Sequence, residues 1–497
     1  VDISRGLPTL AIVGLPDTSV KEARNRVVSA MRNSGFDFPA KRITVNLAPA
    51  YIKKAGPSFE LPIAVGILAA TEKINSANLE EFCFLGELAL DGSIRPVKGV
   101  LSIVLALVDK GYTKIILPEQ NKNEAAVVPG IDVYPVNCLR QAADFLNREL
   151  PLEPYILPRS KKEEEHVDLE LDFSDVKGQQ FAKRALEVAA AGGHNVLLIG
   201  PPGAGKTMLA KRMAGILPEL TFEEALETTK IYSVAGLLDE GQTIMRKRPF
   251  RSPHHTISDI ALIGGGSHPK PGEISLAHQG VLFLDELPEF HRNVLEVMRQ
   301  PLEEGWVRIS RSLASHCYPA RFVLIAAMNP CPCGYYGHPE KECSCTPHAI
   351  QKYMGKISGP LLDRIDMHVQ VPALTMKELT MVTTSGEGSD DIQKRVQKAR
   401  KVQIKRLKNE KIAKKKMVLL FNAHLSSKQI KKYCVIDQES KTLLEGAIRY
   451  LGLSARAYDR ILKVSRTIAD IQQSDSIKPS HVAEAIQYRM LDRNFQN

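Results

Sequence analysis

The stretch Asn195-Val-Leu-Leu-Ile-Gly200-Pro-Pro-Gly-Ala-Gly-Lys206-Thr207-Met-Leu-Ala-Lys-Arg-Met213 joins an apolar run to a helical one through a glycine-rich turn. Val196 to Ile199 reads as a buried strand, and the residues after Thr207 read as a helix. Glycines at 200, 203 and 205 allow backbone N–H groups to converge on an anion at that helix's N-terminus. Lys206 adds a cation for the β- and γ-phosphates, and the Thr207 hydroxyl adds a ligand for Mg²⁺. Residues Gly200, Pro201, Pro202, Gly203, Ala204, Gly205, Lys206, Thr207 and Met208 are therefore expected to hold ATP. A strand, phosphate loop and helix in this order belong to an α/β fold, with the ligand at the carboxyl ends of the strands.

Further along stands Gly280-Val-Leu-Phe-Leu-Asp285-Glu286, a second buried strand ending in two acids. Asp285 is expected to join Thr207 in the Mg²⁺ shell, and Glu286 to polarise the attacking water as general base. A third strand, Phe322-Val-Leu-Ile-Ala-Ala-Met328, ends at Asn329, whose amide is placed to sense the γ-phosphate or the water. Straight after it comes Cys331-Pro-Cys333-Gly-Tyr-Tyr-Gly-His338-Pro-Glu-Lys-Glu-Cys343-Ser-Cys345. Two CxC pairs separated by a glycine-containing loop can present four thiolates to a structural Zn²⁺, with His338 as an alternative ligand.

The surrounding sequence frames these motifs. A length of 497 residues suits about three domains at roughly 150 residues each. The 44% apolar and 25% charged fractions fit a globular protein. No apolar run approaches the roughly 18 residues of a membrane span. Eight cysteines, half of them in the 331–345 cluster, suit metal ligation in a cytoplasmic setting better than an extracellular disulfide framework. The net charge of +10 is concentrated in places, above all in the Lys- and Arg-rich run 394–416, which reads either as a solvated helix or as a polyanion contact. The chain opens at Val1 within a strand-like run, so its natural start is expected to be missing. Residues 1–150 alternate strand and helix patterns, and 151–172 have the Pro- and charge-rich composition of a linker. An α/β core follows over 173–372, and 373–497 is expected to form a helical lid.

Several long runs carry a family resemblance: Arg248-Pro-Phe-Arg-Ser-Pro-His-His255, Pro271-Gly-Glu-Ile-Ser-Leu-Ala-His278, Gly280 to Pro288, and Arg299-Gln-Pro-Leu-Glu-Glu-Gly305. Together they resemble the magnesium-chelatase ATPase family and, within it, the ComM/YifB group, over nearly the whole chain. The resemblance implies an AAA+ ATPase core of helix-2-insert type, related to minichromosome-maintenance helicases, that assembles as a homohexamer. It also implies an N-terminal Lon-protease-like (ribosomal S5 domain 2-like) α/β domain and a C-terminal helical lid. By the same resemblance Arg364, in Gly359-Pro-Leu-Leu-Asp-Arg-Ile-Asp366, looks like an arginine finger reaching a neighbouring subunit's ATP. Arg456 looks like the second sensor, with Arg460 as its rival.

Gly56-Pro-Ser58 resembles the Lon nucleophile segment, yet Leu101 stands where that family's lysine aligns and Lys98 lies on another helix face. Without an amine base Ser58 is a poor nucleophile, so the domain is expected to be proteolytically inactive. Lon-like domains without the dyad also occur in the branch-migration protein RadA. The resemblance to ComM implies an ATP-dependent DNA helicase that promotes branch migration, in natural transformation and homologous recombination. Lys247, Arg248 and Arg251, with Arg308 and Arg311, are the candidate contacts to single-stranded or branched DNA. The competing reading is a chelatase-type ATPase that remodels a protein partner.

Overall fold

The computed structural model describes residues 1–50, 54, 56–158, 171–238, 243–266, 270–311, 314–374, 386–408 and 421–495. Most of the expected linker (159–170), the start of the expected lid (375–385) and the end of the basic run (409–416) lie outside them. The chain divides into two compact units: Val1–Glu163 with Ala225–Met245, and Glu164–Glu224 with Arg246–Asn497. The expected lid and the expected core, apart from 225–245, thus share the second unit.

The first unit is mixed α/β. Strand Arg42–Asn46 pairs antiparallel with Asp2–Ser4 and parallel with Thr9–Val13. A second sheet runs parallel through Phe82–Phe84, Lys114–Pro118 and Asp132–Val136. Helix Glu60–Ala70 is apolar almost all round, and Leu61, Ala64, Ile67 and Leu68 have no exposed surface. The Glu60 carboxylate is fully buried but satisfied, by the Arg26 guanidinium and the Leu88 backbone N–H. Residues 225–245 cluster here although they follow the phosphate-loop helix in sequence; Leu226 packs beside Val100 and Leu101, and the Ser233 hydroxyl bonds Glu124. Leu101 is fully buried in that core, while the Lys98 side chain lies against Gly236.

The second unit is built on a five-stranded parallel sheet in the order Phe250–Arg251, Val281–Leu284, Val323–Met328, Val196–Ile199, Met367–Gln370. The three middle strands are buried along their whole length, as a parallel sheet covered on both faces requires. Their side chains alternate between two cores. Val196, Leu198, Val281, Phe283, Ile325 and Ala327 enter one, with Leu197, Ile199, Leu282, Leu284, Leu324 and Ala326 in the other. The C-terminal helices complete the first core: Ser389–Leu407 contributes Ile392, Val396 and Ala399, and Ala455–Ile471 contributes Ile461, Val464 and Ile468. Register sets where the chemistry lies. Ile199 is level with Met328, and Leu284 with Ala326, so Gly200, Asp285 and Asn329 emerge together at the carboxyl edge.

A buried polar cluster ties those C-terminal helices to the sheet. Asp366 stands just before the edge strand and pairs with Arg460 of helix Ala455–Ile471, while it accepts from the Asn195 backbone N–H at 3.0 Å. Burial by itself would raise this carboxyl's pKa, but Arg460 and His194 outweigh it and hold Asp366 below the ordinary carboxylate range.

Candidate nucleotide site and thiolate cluster

The glycine-rich loop 200–207 lies at the carboxyl edge of the sheet, between strand Val196–Ile199 and helix Lys206–Ile216. Gly203 and Gly205 have φ of 77° and 89°, backbone that only glycine adopts freely, and Gly205 caps helix Lys206–Ile216. Lys206 is buried, and its Nζ donates to Gly200 O (2.7 Å), Pro201 O (2.9 Å) and Asn329 Oδ1 (3.0 Å). Burial lowers its pKa, with Asp285 and Glu286 acting the other way. The Thr207 hydroxyl donates to Asp285 Oδ2 at 2.7 Å. A hydroxyl and a carboxylate brought together at a helix N-terminus form the hard oxygen set that Mg²⁺ takes beside nucleotide phosphates. Lys206, Thr207, Asp285 and Asn329 line a cleft of about 370 Å³ together with Pro202, Met208, Glu286 and Met328.

Glu286 is in the left-handed region, at φ 52°. Its side chain is 59% exposed and Oε2 lies 3.4 Å from His255 Nδ1. His255 follows the edge strand Phe250–Arg251, and no local motif marks it for a role. Only the parallel pairing of that strand with Val281–Leu284 brings it beside the acid.

The four cysteines converge. Their sulfurs all lie within 4.8 Å of one another, with 3.3 Å from Cys331 to Cys333 and 3.6 Å from each of these to Cys343. A tetrahedral Zn²⁺ with Zn–S bonds of about 2.3 Å sets its sulfurs roughly 3.8 Å apart, so the group fits such an ion. His338 is not part of it; its Nδ1 accepts from the Glu340 and Lys341 backbone N–H groups. The Tyr335 backbone N–H lowers the Cys333 thiol to about 6. For Cys343 the Cys345 backbone N–H lowers the pKa, but burial and the thiols of Cys333 and Cys331 outweigh it and push it to about 12. One ionised sulfur thus hinders ionisation of its neighbour, and a cation relieves this by binding both as thiolates. Metal analysis of protein purified without chelator should find about one zinc per chain, lost in the Cys343→Ser/Cys345→Ser double variant. Zinc-free wild-type protein would remove the site.

Comparison with known proteins bears on the same residues. Sequence profiles described as "Subunit ChlI of Mg-chelatase", "Magnesium chelatase, subunit ChlI" and "Magnesium chelatase, subunit ChlI C-terminal" match residues 1–121, 172–379 and 386–489. The chain is 46% identical to the Escherichia coli (strain K12) uncharacterized protein YifB, over 99% of this chain and 94% of that one. It is 47% identical to the Haemophilus influenzae competence protein ComM, over 100% of this chain and 95% of the relative. The chain belongs to the ComM/YifB group of the magnesium-chelatase family. The Euglena gracilis magnesium-chelatase subunit ChlI is more distant, at 25% identity over 41% of this chain and 61% of its own.

The arginines expected from the ComM/YifB resemblance are held in different ways. The Arg364 side chain is 8% exposed; it pairs with Glu303, donates to Pro360 O at 2.5 Å, and its Nε is buried without a partner. Arg456 is 64% exposed and 3.9 Å from Asp363, whereas the Arg460 guanidinium is engaged by Asp366. The candidate DNA contacts divide similarly. The Arg248 side chain is 6% exposed, pairs with Glu224 at 2.9 Å and donates to Pro218 O and Gln279 O, so a nucleic-acid phosphate would have to displace all of these. Arg251 is held by both Glu273 oxygens. Lys247 and Arg308 are exposed, and the Arg311 side chain lies outside the described residues. The basic run turns its arginines inward, with Arg395 on Glu187 and Glu387, Arg400 on Ala190 O, and Arg406 on Asp470.

Proposed function

We propose that this member of the ComM/YifB group hydrolyses ATP as an AAA+ motor of helix-2-insert type and uses the energy to drive branch migration of DNA. The Lys206–Asn329 and Thr207–Asp285 contacts carry the ATPase part of this reading, because they unite the loop, the acid strand and the sensor strand at one sheet edge. The near full-length likeness to a protein named for competence carries the DNA part, in integration of incoming DNA during natural transformation and homologous recombination.

In the proposed mechanism the loop N–H groups and Lys206 hold the β- and γ-phosphates, and Asn329 orients the terminal phosphate or the water. Thr207 and Asp285 would hold a Mg²⁺, which would supply charge neutralisation at the phosphates. Glu286 takes the proton of the attacking water, and His255 fixes the carboxylate between turnovers. Arg364 leaves Glu303 and reaches the neighbouring subunit's γ-phosphate within a homohexamer, while Arg456 closes the lid over the nucleotide. Exposed Lys247 and Arg308 meet DNA phosphates, a contact of charge rather than of sequence. Cys331, Cys333, Cys343 and Cys345 would hold a Zn²⁺, which would tie the 331–345 loop together. The N-terminal unit acts as a proteolytically inactive Lon-like domain, in keeping with the burial of Leu101. The proposed site of action is the cytoplasm; no helix among the described residues is long and apolar enough to cross a membrane.

The deciding experiment is ATP-dependent movement of a synthetic four-way junction, run beside ATP hydrolysis with and without DNA. Junction movement together with DNA-stimulated turnover is the expected result. ATP hydrolysis indifferent to DNA would favour a chelatase-type remodelling ATPase instead.

A further inference from the structure

The thiolate loop does more than follow the sensor strand in sequence; it lies against the phosphate loop. Gly334 is buried at φ +86°, and a Cβ built there would stand 2.5 Å from Pro202 Cδ and 2.7 Å from Pro202 Cγ. Real carbon atoms do not approach so closely without displacement, so any side chain at 334 must push Pro202, and the phosphate-binding backbone with it, by several tenths of an ångström. The turn that presents Gly334 is itself held. Its N–H donates to Cys331 O at 3.0 Å, the Tyr336 N–H to Cys331 Sγ at 3.3 Å, and the Cys333 N–H to Cys345 Sγ at 3.4 Å. Both ends of the loop return to the sensor. Asn329 precedes it and binds Lys206, while the helix Pro347–Met354 that follows it carries Tyr353, whose buried hydroxyl meets the Asn329 backbone.

We infer that the Cys331–Gly334 turn is a positioning element of the nucleotide pocket, with Gly334 seated on Pro202, so that metal in the thiolate cluster and nucleotide on the phosphate loop strengthen each other's binding. The inference rests on reading 200–207 as the nucleotide site and 331–345 as a zinc site. A sulfur cluster closed by metal fixes the turn, the turn fixes Pro202, and the loop N–H groups need that geometry to converge on phosphate oxygens. Coupling of binding energies is reciprocal: the factor by which zinc raises nucleotide affinity is the factor by which nucleotide raises zinc affinity.

The test uses the full, zinc-loaded chain and a fluorescent ADP analogue with Mg²⁺. Gly334→Ala should weaken ADP binding roughly tenfold or more, since about 1.4 kcal/mol of lost fit is a factor of ten in Kd. Adding Pro202→Ala to that variant should recover most of the loss, because it removes the ring atoms a Cβ would strike. In wild-type protein, Mg·ADP should slow zinc transfer to a competing chelator and protect the amides of residues 333–337 from hydrogen exchange. Wild-type-like affinity in Gly334→Ala, or no recovery from Pro202→Ala, would overturn the inference. Should Gly334→Ala fail to fold, the exchange measurement decides alone, and amides 333–337 indifferent to Mg·ADP would overturn it. Failure of the underlying readings looks different: an unmodified chain that binds no Mg·ADP removes the nucleotide site and this inference with it. A chain that binds Mg·ADP but carries no zinc removes only the metal, and the ADP affinities of the Gly334 and Pro202 variants still decide whether the turn positions the pocket.

Discussion

Mixing Arg364→Ala chains with Lys206→Ala chains should restore ATP hydrolysis that neither variant shows alone. The first lacks the guanidinium proposed to meet a neighbour's γ-phosphate; the second lacks the cation at its own phosphates but keeps its finger. Arginine fingers are worth roughly 10³ to 10⁵ in rate, so each homogeneous assembly should be nearly inactive. In a mixed ring some interfaces join an intact phosphate loop to an intact Arg364, and turnover should return there. The contact between Arg364 and Glu303 in the same chain sharpens the test. If that ion pair were the whole role of Arg364, its loss would damage one chain internally and no partner could repair it. Co-assembled rings, verified by native mass spectrometry, that regain no activity would rule out action between subunits.

Glu286→Gln should separate binding from chemistry. The substitution keeps size and hydrogen-bonding capacity while removing the base, and it leaves Lys206, Thr207 and Asp285 in place to hold nucleotide and Mg²⁺. General-base catalysis contributes typically 10² to 10⁴ in rate, so kcat should fall by about that factor while ATP affinity changes little. Single-turnover hydrolysis and equilibrium binding on the same preparation measure the two effects. Hydrolysis close to that of the unaltered chain would show that another group takes the proton.

Much of the candidate ATPase site is legible in the sequence, because its parts are local. A strand of four apolar residues, a glycine turn and a lysine at the head of a helix occupy one continuous stretch, and each residue's role depends on neighbours a few positions away. The acid strand and the sensor strand announce themselves the same way. The cysteine cluster is legible too, since short CxC spacings leave a loop few ways to keep its sulfurs apart; that His338 stands outside the group is not, because backbone amides compete for its ring nitrogen.

What stays hidden is how the basic residues and His255 pair with distant segments. Basic residues in a row suggest phosphate contacts, yet Arg248 and Arg251 turn to Glu224 and Glu273 inside the fold. Arg456 and Arg460 stand one helical turn apart and look interchangeable, until Asp366 engages one of them. The α/β class, the family and the residues proposed to hold phosphate are legible in sequence alone, since hydrophobic periodicity, motif spacing and glycine conformation act over a few residues. The orientation of His255 toward Glu286, the Arg364–Glu303 pair and the seat of Gly334 on Pro202 were decided only in tertiary structure, because strand order and packing bring together groups that no local rule connects.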